Sequence, residues 1–301
     1  MIPSIVIGLP GAGLFCLYMI RIAIQSKGRL NEESLALLGD IGIRIDDAKR
    51  KFLAQTADFP LEVLYMRDDD IAQVVSAGTA DLGIVGRNEV EEKGLPVRVV
   101  RELGFGRCRL SLAIPKAEDY AGPGWFQGRR IATSYPRILQ RYLDGAGIQA
   151  DIEVITGSVE IAPAAGISDA IFDIVSSGGT LISNGLKEVE KVLFSEAVLI
   201  ANADLSPEKQ ALLDEILFRL DSAVLSRKKK YLLMNLPESA IEQACKILPA
   251  MRSPTIMPLA AQGWYSMHSV VEESCLWEKI RQLKAIGAEG ILVLNIDKII
   301  L

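Results

Sequence analysis

An Arg-Ile-Ala triplet opens a strand-like segment twice in this chain, at Arg21-Ile22-Ala23 and again at Arg130-Ile131-Ala132. The first runs through Ile20–Gln25 and precedes a helix pattern over Asn31–Asp40, with Asn31 as cap and Leu35, Leu37 and Leu38 turned inward. A strand at Leu61–Met66 follows. Asp68–Asp70 then cap a helix whose Ile71, Val74 and Val75 share one face and which Gly78 ends. The unit closes on the apolar run Asp81–Gly86, DLGIVG. The second unit begins with a strand at Arg109–Ile114, followed by the triplet. It continues through a helix at Pro136–Leu143 and a strand at Asp151–Ile155 to a matching apolar run at Ala170–Val175. Short apolar runs between helices are strands of a largely parallel sheet buried on both faces. Two such units predict two α/β lobes, and Leu193–Ile200 is strand-like enough to carry the chain back to the first. Ligands of such sheets sit beyond the carboxyl ends of the strands, so the loops there are where chemistry is expected.

Beyond Ser206-Pro207-Glu208, a helix start with serine as cap and proline in the first turn, the pattern changes. Leu213, Ile216, Leu217, Leu220 and Val224 form one stripe ending at the basic run Arg227–Lys230, where cations complement a helix terminus. There follow a strand at Tyr231–Leu236, a helix marked by Ile241, Ala244, Cys245 and Leu248, and a hairpin of Thr255–Leu259 with Tyr265–Val271. A second helix, marked by Leu276, Ile280, Leu283 and Ile286, leads to a closing strand at Gly290–Ile296. The order β-α-β-β-α-β is that of a ferredoxin-like domain, which by itself names no function.

The charge of −5 and the single histidine of the 301 residues argue against a nucleic-acid or anionic-membrane surface, which needs clustered lysine and arginine. Cys16, Cys108, Cys245 and Cys275 form no CxxC pair, and reduced thiols in a cytoplasmic protein are expected. Met1–Tyr18 carries no charge, but Pro3, Gly8, Pro10, Gly11 and Gly13 break a spanning helix and a signal peptide needs a basic start. Gly8 and Gly13 have the outer spacing of a P-loop, yet Leu14-Phe15 stand where Lys-Ser/Thr is required. The reading adopted is a native start at Met19, with residues 1–18 an extension or disordered tail.

The segment richest in chemistry is Asp169–Leu181, DAIFDIVSSGGTL. A strand ends in Ser176-Ser177-Gly178-Gly179-Thr180 and runs into a helical stretch. Glycines let the backbone approach an anion, and successive N–H groups with three hydroxyls form a nest at a helix start. Asp169 and Asp173 are expected beside it, accepting from sugar hydroxyls or helping to hold a metal; an ordinary turn with solvated carboxylates is the competing reading.

Glu160, Gly166, Ser168, Ile171, Asp173, Ile174, Ser177, Gly178, Thr180 and Leu181 together match, without a gap, the signature of the ATP phosphoribosyltransferase family. The resemblance extends to Arg21–Leu30, Arg67–Ile71, DLGIVG, Cys108–Pro115, Arg130–Pro136, Asn184–Glu190 and Ser253–Ala260, and so spans about residue 20 to the end. It implies two periplasmic-binding-protein-like lobes around a cleft, with lobe I made of residues 19–108 and 190–227 and lobe II of residues 109–189. A ferredoxin-like regulatory domain over residues 228–301 makes the chain resemble the long form. The family joins N1 of ATP to C1 of phosphoribosyl pyrophosphate, with Mg2+, in the first step of histidine biosynthesis. Ser176, Ser177, Gly178, Gly179 and Thr180 would then hold the 5-phosphate, with Asp169 and Asp173 near the ribose and its metal. Glu160 would meet a ribose hydroxyl or a metal-bound water, unless it is a surface carboxylate. Lys27, Gly28 and Arg29 would reach phosphates or nucleotide from lobe I. Arg67 binds a phosphate or pairs with Asp68–Asp70, and Asp81 and Gly86 are strand ends facing the same cleft, unless Asp81 caps structure. Ser134 caps a helix while Tyr135 stacks on a base or fills the core.

The resemblance also implies feedback inhibition by histidine, with Ser253, Thr255 and Ala260 beside the effector, competition by AMP, and a homo-oligomer from dimer to hexamer. Here the hairpin loop reads Gln262-Gly263-Trp264-Tyr265, an aromatic variant whose rings contact effector or neighbouring subunit. The rival readings are a cleft-type solute-binding protein, which should carry a basic secretory leader, and a catalytically silent regulatory subunit, which should lack the acidic residues around the loop.

Overall fold

A computed structural model describes residues 19–45, 53–56, 58–248 and 253–300; the expectations for residues 1–18 and for Cys16 lie outside them. The chain divides into two compact units at Leu212/Leu213.

The first unit holds two sheets. Lobe I begins with β1 (Ile20–Gln25), α1 (Arg29–Asp40), β2 (Leu53–Gln55), β3 (Leu61–Met66) and α2 (Asp68–Ser76). It continues through β4 (Leu82–Gly86), α3 (Arg87–Lys93) and β5 (Val97–Glu102). The chain crosses to lobe II through β6 (Cys108–Pro115), β7 (Arg130–Thr133), α4 (Pro136–Ala146), β8 (Asp151–Val154), β9 (Ala170–Val175), α5 (Gly179–Ser183) and β10 (Leu186–Ser195). Then β11 (Ala197–Asn202) returns to lobe I and α6 (Pro207–Arg227) follows. The sheet orders are β2-β3-β1-β4-β11-β5 and β10-β6-β9-β7-β8.

In lobe I, β1 is parallel to β3 and β4; in lobe II, β7 is parallel to β8 and β9. Of these, β1, β3, β4, β7 and β9 are the inner, apolar strands, and β8 is an exposed edge. Val85 packs with Ile71, Val75 and the returning Val198 and Ile200, Leu82 and Ile84 are buried as well, and Phe172 and Ile171 point to opposite faces of the second sheet. The returning strand forms, but as two pieces split at Glu196, because it must belong to both sheets.

The second unit contains β12 (Lys229–Pro237), α7 (Ile241–Ile247), β13 (Thr255–Pro258), β14 (Trp264–Glu272), α8 (Leu276–Ala285) and β15 (Glu289–Asn295). Its antiparallel sheet runs β13-β14-β12-β15, the ferredoxin-like order, packed through Leu232, Met234, Leu236 and Met267 against Ala244, Leu276 and Leu283. Pro258 is tolerated because β13 is an edge strand. The basic run is absorbed here: Lys229 pairs with Glu272 at 2.6 Å and Lys230 with Glu273 at 3.2 Å.

Candidate active site

Strand direction decides which expected residues can meet. In lobe I the carboxyl ends of β1, β3 and β4 lie together. Ser26 N–H donates to the Met66 carbonyl at 2.7 Å, which sets the Lys27-Gly28-Arg29 turn beside Arg67. Gly28 adopts φ 95° and starts α1; Asn31 therefore does not cap the helix but donates to the Gln25 carbonyl at 2.6 Å, bracing the turn from below. Lys27 is exposed, and Arg29 leans on Glu33 at 3.3 Å. Arg67 pairs with Asp69 at 3.3 Å, in keeping with the simpler of its two readings. Gly86 ends β4 at the same edge, where a side chain would run into Asn88.

Asp81 is elsewhere. It precedes β4, 6 % exposed, and accepts from Arg21 N–H at 2.8 Å and from Lys209 Nζ at 2.7 Å. This is the amino end of the sheet, so Asp81 does not face the cleft; its alternative reading as a structural cap stands. Asp169 occupies the equivalent place in lobe II. Its carboxylate accepts from Arg130 N–H at 2.9 Å, and its own N–H donates to the Arg130 carbonyl at 2.9 Å. The whole of β9 separates it from the Ser176–Thr180 loop, about 20 Å at ~3.3 Å per residue. The expectation that Asp169 sits beside the ribose and its metal is corrected by that separation.

At the carboxyl end of lobe II the remaining groups gather. Val175 leads into Ser176-Ser177-Gly178-Gly179-Thr180, and Gly178 takes φ 82°, a conformation a side chain would strain. The helix that follows, α5, is only five residues long. What the turn offers is backbone N–H groups and hydroxyls, with little macrodipole behind them. Asp173 lies two residues before the strand end, accepting from Ile174 N–H at 2.8 Å. Burial pushes the Asp173 carboxyl above the ordinary carboxylate pKa range, and the nearby charge of Glu160, in a short 3-10 turn over Val159–Ile161, adds to the rise. Among the described residues no three His, Cys, Asp or Glu side chains gather as a metal cage. Glu160 and Asp173 are neighbouring carboxylates at this end.

Ser134 does not cap α4: its hydroxyl donates to the Ile155 carbonyl at 2.6 Å, while buried Thr133 accepts from Tyr135 N–H at 2.8 Å. Tyr135 is a core residue, 9 % exposed among Ile138, Leu139 and Phe172, so its ring is not offered to a base. Its hydroxyl donates to Glu89 at 2.9 Å and meets Asn88 at 3.3 Å, and this pair joins the two lobes at their carboxyl ends. Burial first, then the Tyr135 bond working against it, leaves Glu89 above the usual carboxylate range. Burial and the same Glu89 charge push the tyrosine far upward.

Sequence reasoning missed a second cluster. Arg109 is gripped by Glu188 through Nε at 2.5 Å and Nη2 at 2.6 Å, Ser111 donates to Glu188 at 2.7 Å, and Arg109 Nη1 donates to the Ser176 carbonyl at 3.1 Å. Alternation along β6 places Arg109 and Ser111 on one face. Their partner could not be read, because β10 carries bulges between Glu188 and Glu190 and between Lys191 and Leu193. The sole histidine, His268, belongs to the second unit, its ring nitrogens 2.7 Å from the Tyr231 hydroxyl and 3.1 Å from that of Ser266. Ser253 is exposed beside its own Pro254 carbonyl, Thr255 pairs with His268 across β13 and β14, and Ala260 lies in the turn between those strands.

Fold and loop together define a two-lobed α/β protein with a glycine- and hydroxyl-rich turn at the carboxyl end of β9 in its second sheet. Residues 67–222 match the family model described as ATP phosphoribosyltransferase, and residues 226–298 match that of its C-terminal domain. The chain is 57 % identical over 283 residues to an ATP phosphoribosyltransferase of Phocaeicola vulgatus, covering 94 % of this chain and all of the relative. It is 56 % identical over 282 residues to that of Bacteroides thetaiotaomicron, with the same coverage. Among solved structures, a chain of the ATP phosphoribosyl transferase (HisG:HisZ) complex from Thermotoga maritima superposes with a TM-score of 0.59 at 28 % identity, over 67 % of this chain and 96 % of that one. The chain belongs to the ATP phosphoribosyltransferase family.

Proposed function

We propose that this chain transfers the phosphoribosyl group of phosphoribosyl pyrophosphate to N1 of ATP, giving phosphoribosyl-ATP and pyrophosphate, the first step of histidine biosynthesis. The observation that carries the reading is the Ser176–Thr180 turn, opened by the left-handed Gly178 and lying within the matched region. Its N–H groups and hydroxyls suit a phosphomonoester, at roughly 1.5–3 kcal/mol for each charge-assisted hydrogen bond.

The reaction asks for positioning and electrostatics more than for a nucleophile. As the bond from C1 to the pyrophosphate oxygen breaks, the ribosyl carbon gains positive charge; the lone pair of N1 then forms the new bond. Asp173 and Glu160 supply negative charge beside that carbon. Burial and mutual repulsion hold Asp173 high in the free protein, and a developing cation relieves both. Asp173 and Glu160 are the carboxylates that would hold magnesium, directly or through water, and the ion would neutralise charge on the departing diphosphate. Lys27 and Arg29 meet the triphosphate of ATP from lobe I.

The second unit serves as the regulatory domain, with Ser253, Thr255 and Ala260 at the histidine site, AMP competes at the nucleotide site, and the active form is a homo-oligomer between dimer and hexamer. The protein works in the cytoplasm; among the described residues no helix is long and apolar enough to cross a membrane.

The test is magnesium-dependent formation of phosphoribosyl-ATP, followed by ultraviolet absorbance. Asp173→Asn should lower kcat by about 10²-fold or more, while removal of a buried charge raises Tm by roughly 2–4 °C. Full turnover in that variant would remove Asp173 from the site, and absence of product with the native chain would refute the assignment.

A further inference from the structure

Ser176, the first residue of the phosphate turn, has its carbonyl fixed by a side chain from another strand. Arg109 sits on β6, directly across from Val175 in the antiparallel ladder with β9. Two of its nitrogens are engaged by both oxygens of Glu188, and a third donates to the Ser176 carbonyl at 3.1 Å. Ser111, 1 % exposed, donates to Glu188 from the same strand and fixes that carboxylate. The Arg109 bond holds Glu188 below the usual carboxylate range, so the fork stays ionised around neutral pH.

We propose that Arg109, held by Glu188 and Ser111, is a positioning residue that orients the Ser176–Ser177 peptide so that the turn presents its N–H groups to the donor's 5-phosphate. The inference rests on the phosphate-turn reading above. In a trans peptide the carbonyl and the following N–H point in opposite directions. No cis bond occurs among the described residues. Fixing the Ser176 oxygen on Arg109 therefore directs the Ser177 N–H to the other side, away from β6. Ser176, Ser177, Gly179 and Thr180 are exposed; Ser183 and Asn184 hold the far end of the turn through the Thr180 carbonyl at 3.0 and 2.9 Å, while at its near end Gly179 N–H reaches Ser177 Oγ only at 3.5 Å, so the tie at Ser176 falls to Arg109. Arg109 is an indirect partner of the phosphate, since Glu188 neutralises its charge and occupies its bidentate edge.

Calorimetric titration with magnesium phosphoribosyl pyrophosphate, paired with steady-state kinetics, separates this from other roles. Arg109→Lys keeps the charge but not the fork, and should weaken donor binding about tenfold, the loss of one charge-assisted hydrogen bond. The KM for ATP should not move. Glu188→Gln should weaken the donor in the same direction, and the double variant should be little worse than either single one, since both act through one contact. Wild-type donor affinity in Arg109→Lys would overturn the proposal, as would tighter binding in Glu188→Gln, which would mean that a freed Arg109 grips the phosphate itself. If Arg109→Lys does not fold, Glu188→Gln and the milder Ser111→Ala decide in the same way. Gly178→Ala is the control. Unchanged donor affinity there would refute the phosphate turn, whereas loss there with no effect at Arg109 or Glu188 would refute only the positioning role.

Discussion

At the amino ends of their strands the two lobes make the same bracket, Arg21 with Asp81 and Arg130 with Asp169, each a reciprocal pair of bonds at 2.8–2.9 Å. At the carboxyl ends they differ. Lobe I presents exposed cations, Lys27 and Arg29, on a turn braced by Asn31; lobe II presents hydroxyls and N–H groups braced by Arg109. The repeated architecture supplies a scaffold, and the loops at one end differ in chemistry: exposed cations in one lobe, hydroxyls and N–H groups in the other. Repetition in a sequence therefore points to what holds the lobes together, and departures from it point to chemistry.

The largest effect expected from breaking this comparison is at the carboxyl ends. Lys27→Ala with Arg29→Ala should raise the KM for ATP by about tenfold, and the penalty should shrink as salt screens exposed charge. The KM for the donor should hold. A change in donor KM alone would reverse the assignment of the two lobes.

Stability at the amino ends comes next. Asp81→Asn strips a 6 % exposed carboxylate from both Arg21 and Lys209 and should cost about 2–3 kcal/mol in chemical unfolding. Asp169→Asn, whose side chain is 36 % exposed, should cost about 1 kcal/mol or less and leave kcat unchanged. A collapse of turnover in Asp169→Asn with normal stability would return that residue to the active site.

The smallest effect concerns the Glu89–Tyr135 contact between the lobes. Glu89 is held above its ordinary 4.5 by burial, so its stabilising contribution is complete below that value and is lost as pH rises through the raised folded-state value. The Tm of Glu89→Gln minus that of the native chain should grow over that interval. A difference independent of pH would mean that Glu89 titrates normally.

Much of this was legible in advance. The apolar runs at Asp81–Gly86 and Ala170–Val175 identify inner strands because only strands covered on both faces lack polar alternation, but the sheets are mixed rather than largely parallel, β4 and β9 each having one parallel and one antiparallel neighbour; the ferredoxin-like order follows from short helices between alternating strands. The turn at Ser176–Thr180 was visible because glycines and hydroxyls are local signals. What stayed hidden is long-range. Asp169 lies four residues from Asp173, yet strand direction puts it at the opposite end of the sheet, and Arg109 meets Glu188 only through two bulges. Tyr135 was ambiguous because an aromatic after a strand suits a base or a core equally; the hydroxyl bond to Glu89 settles it as core.

The most direct test of the central claim is the position of the donor's 5-phosphate in crystals soaked with magnesium phosphoribosyl pyrophosphate. The phosphate should lie within hydrogen-bonding distance of the Ser177–Thr180 N–H groups, with the ribose toward Asp173 and Glu160. A donor bound elsewhere, with Ser176–Thr180 facing solvent, would contradict it.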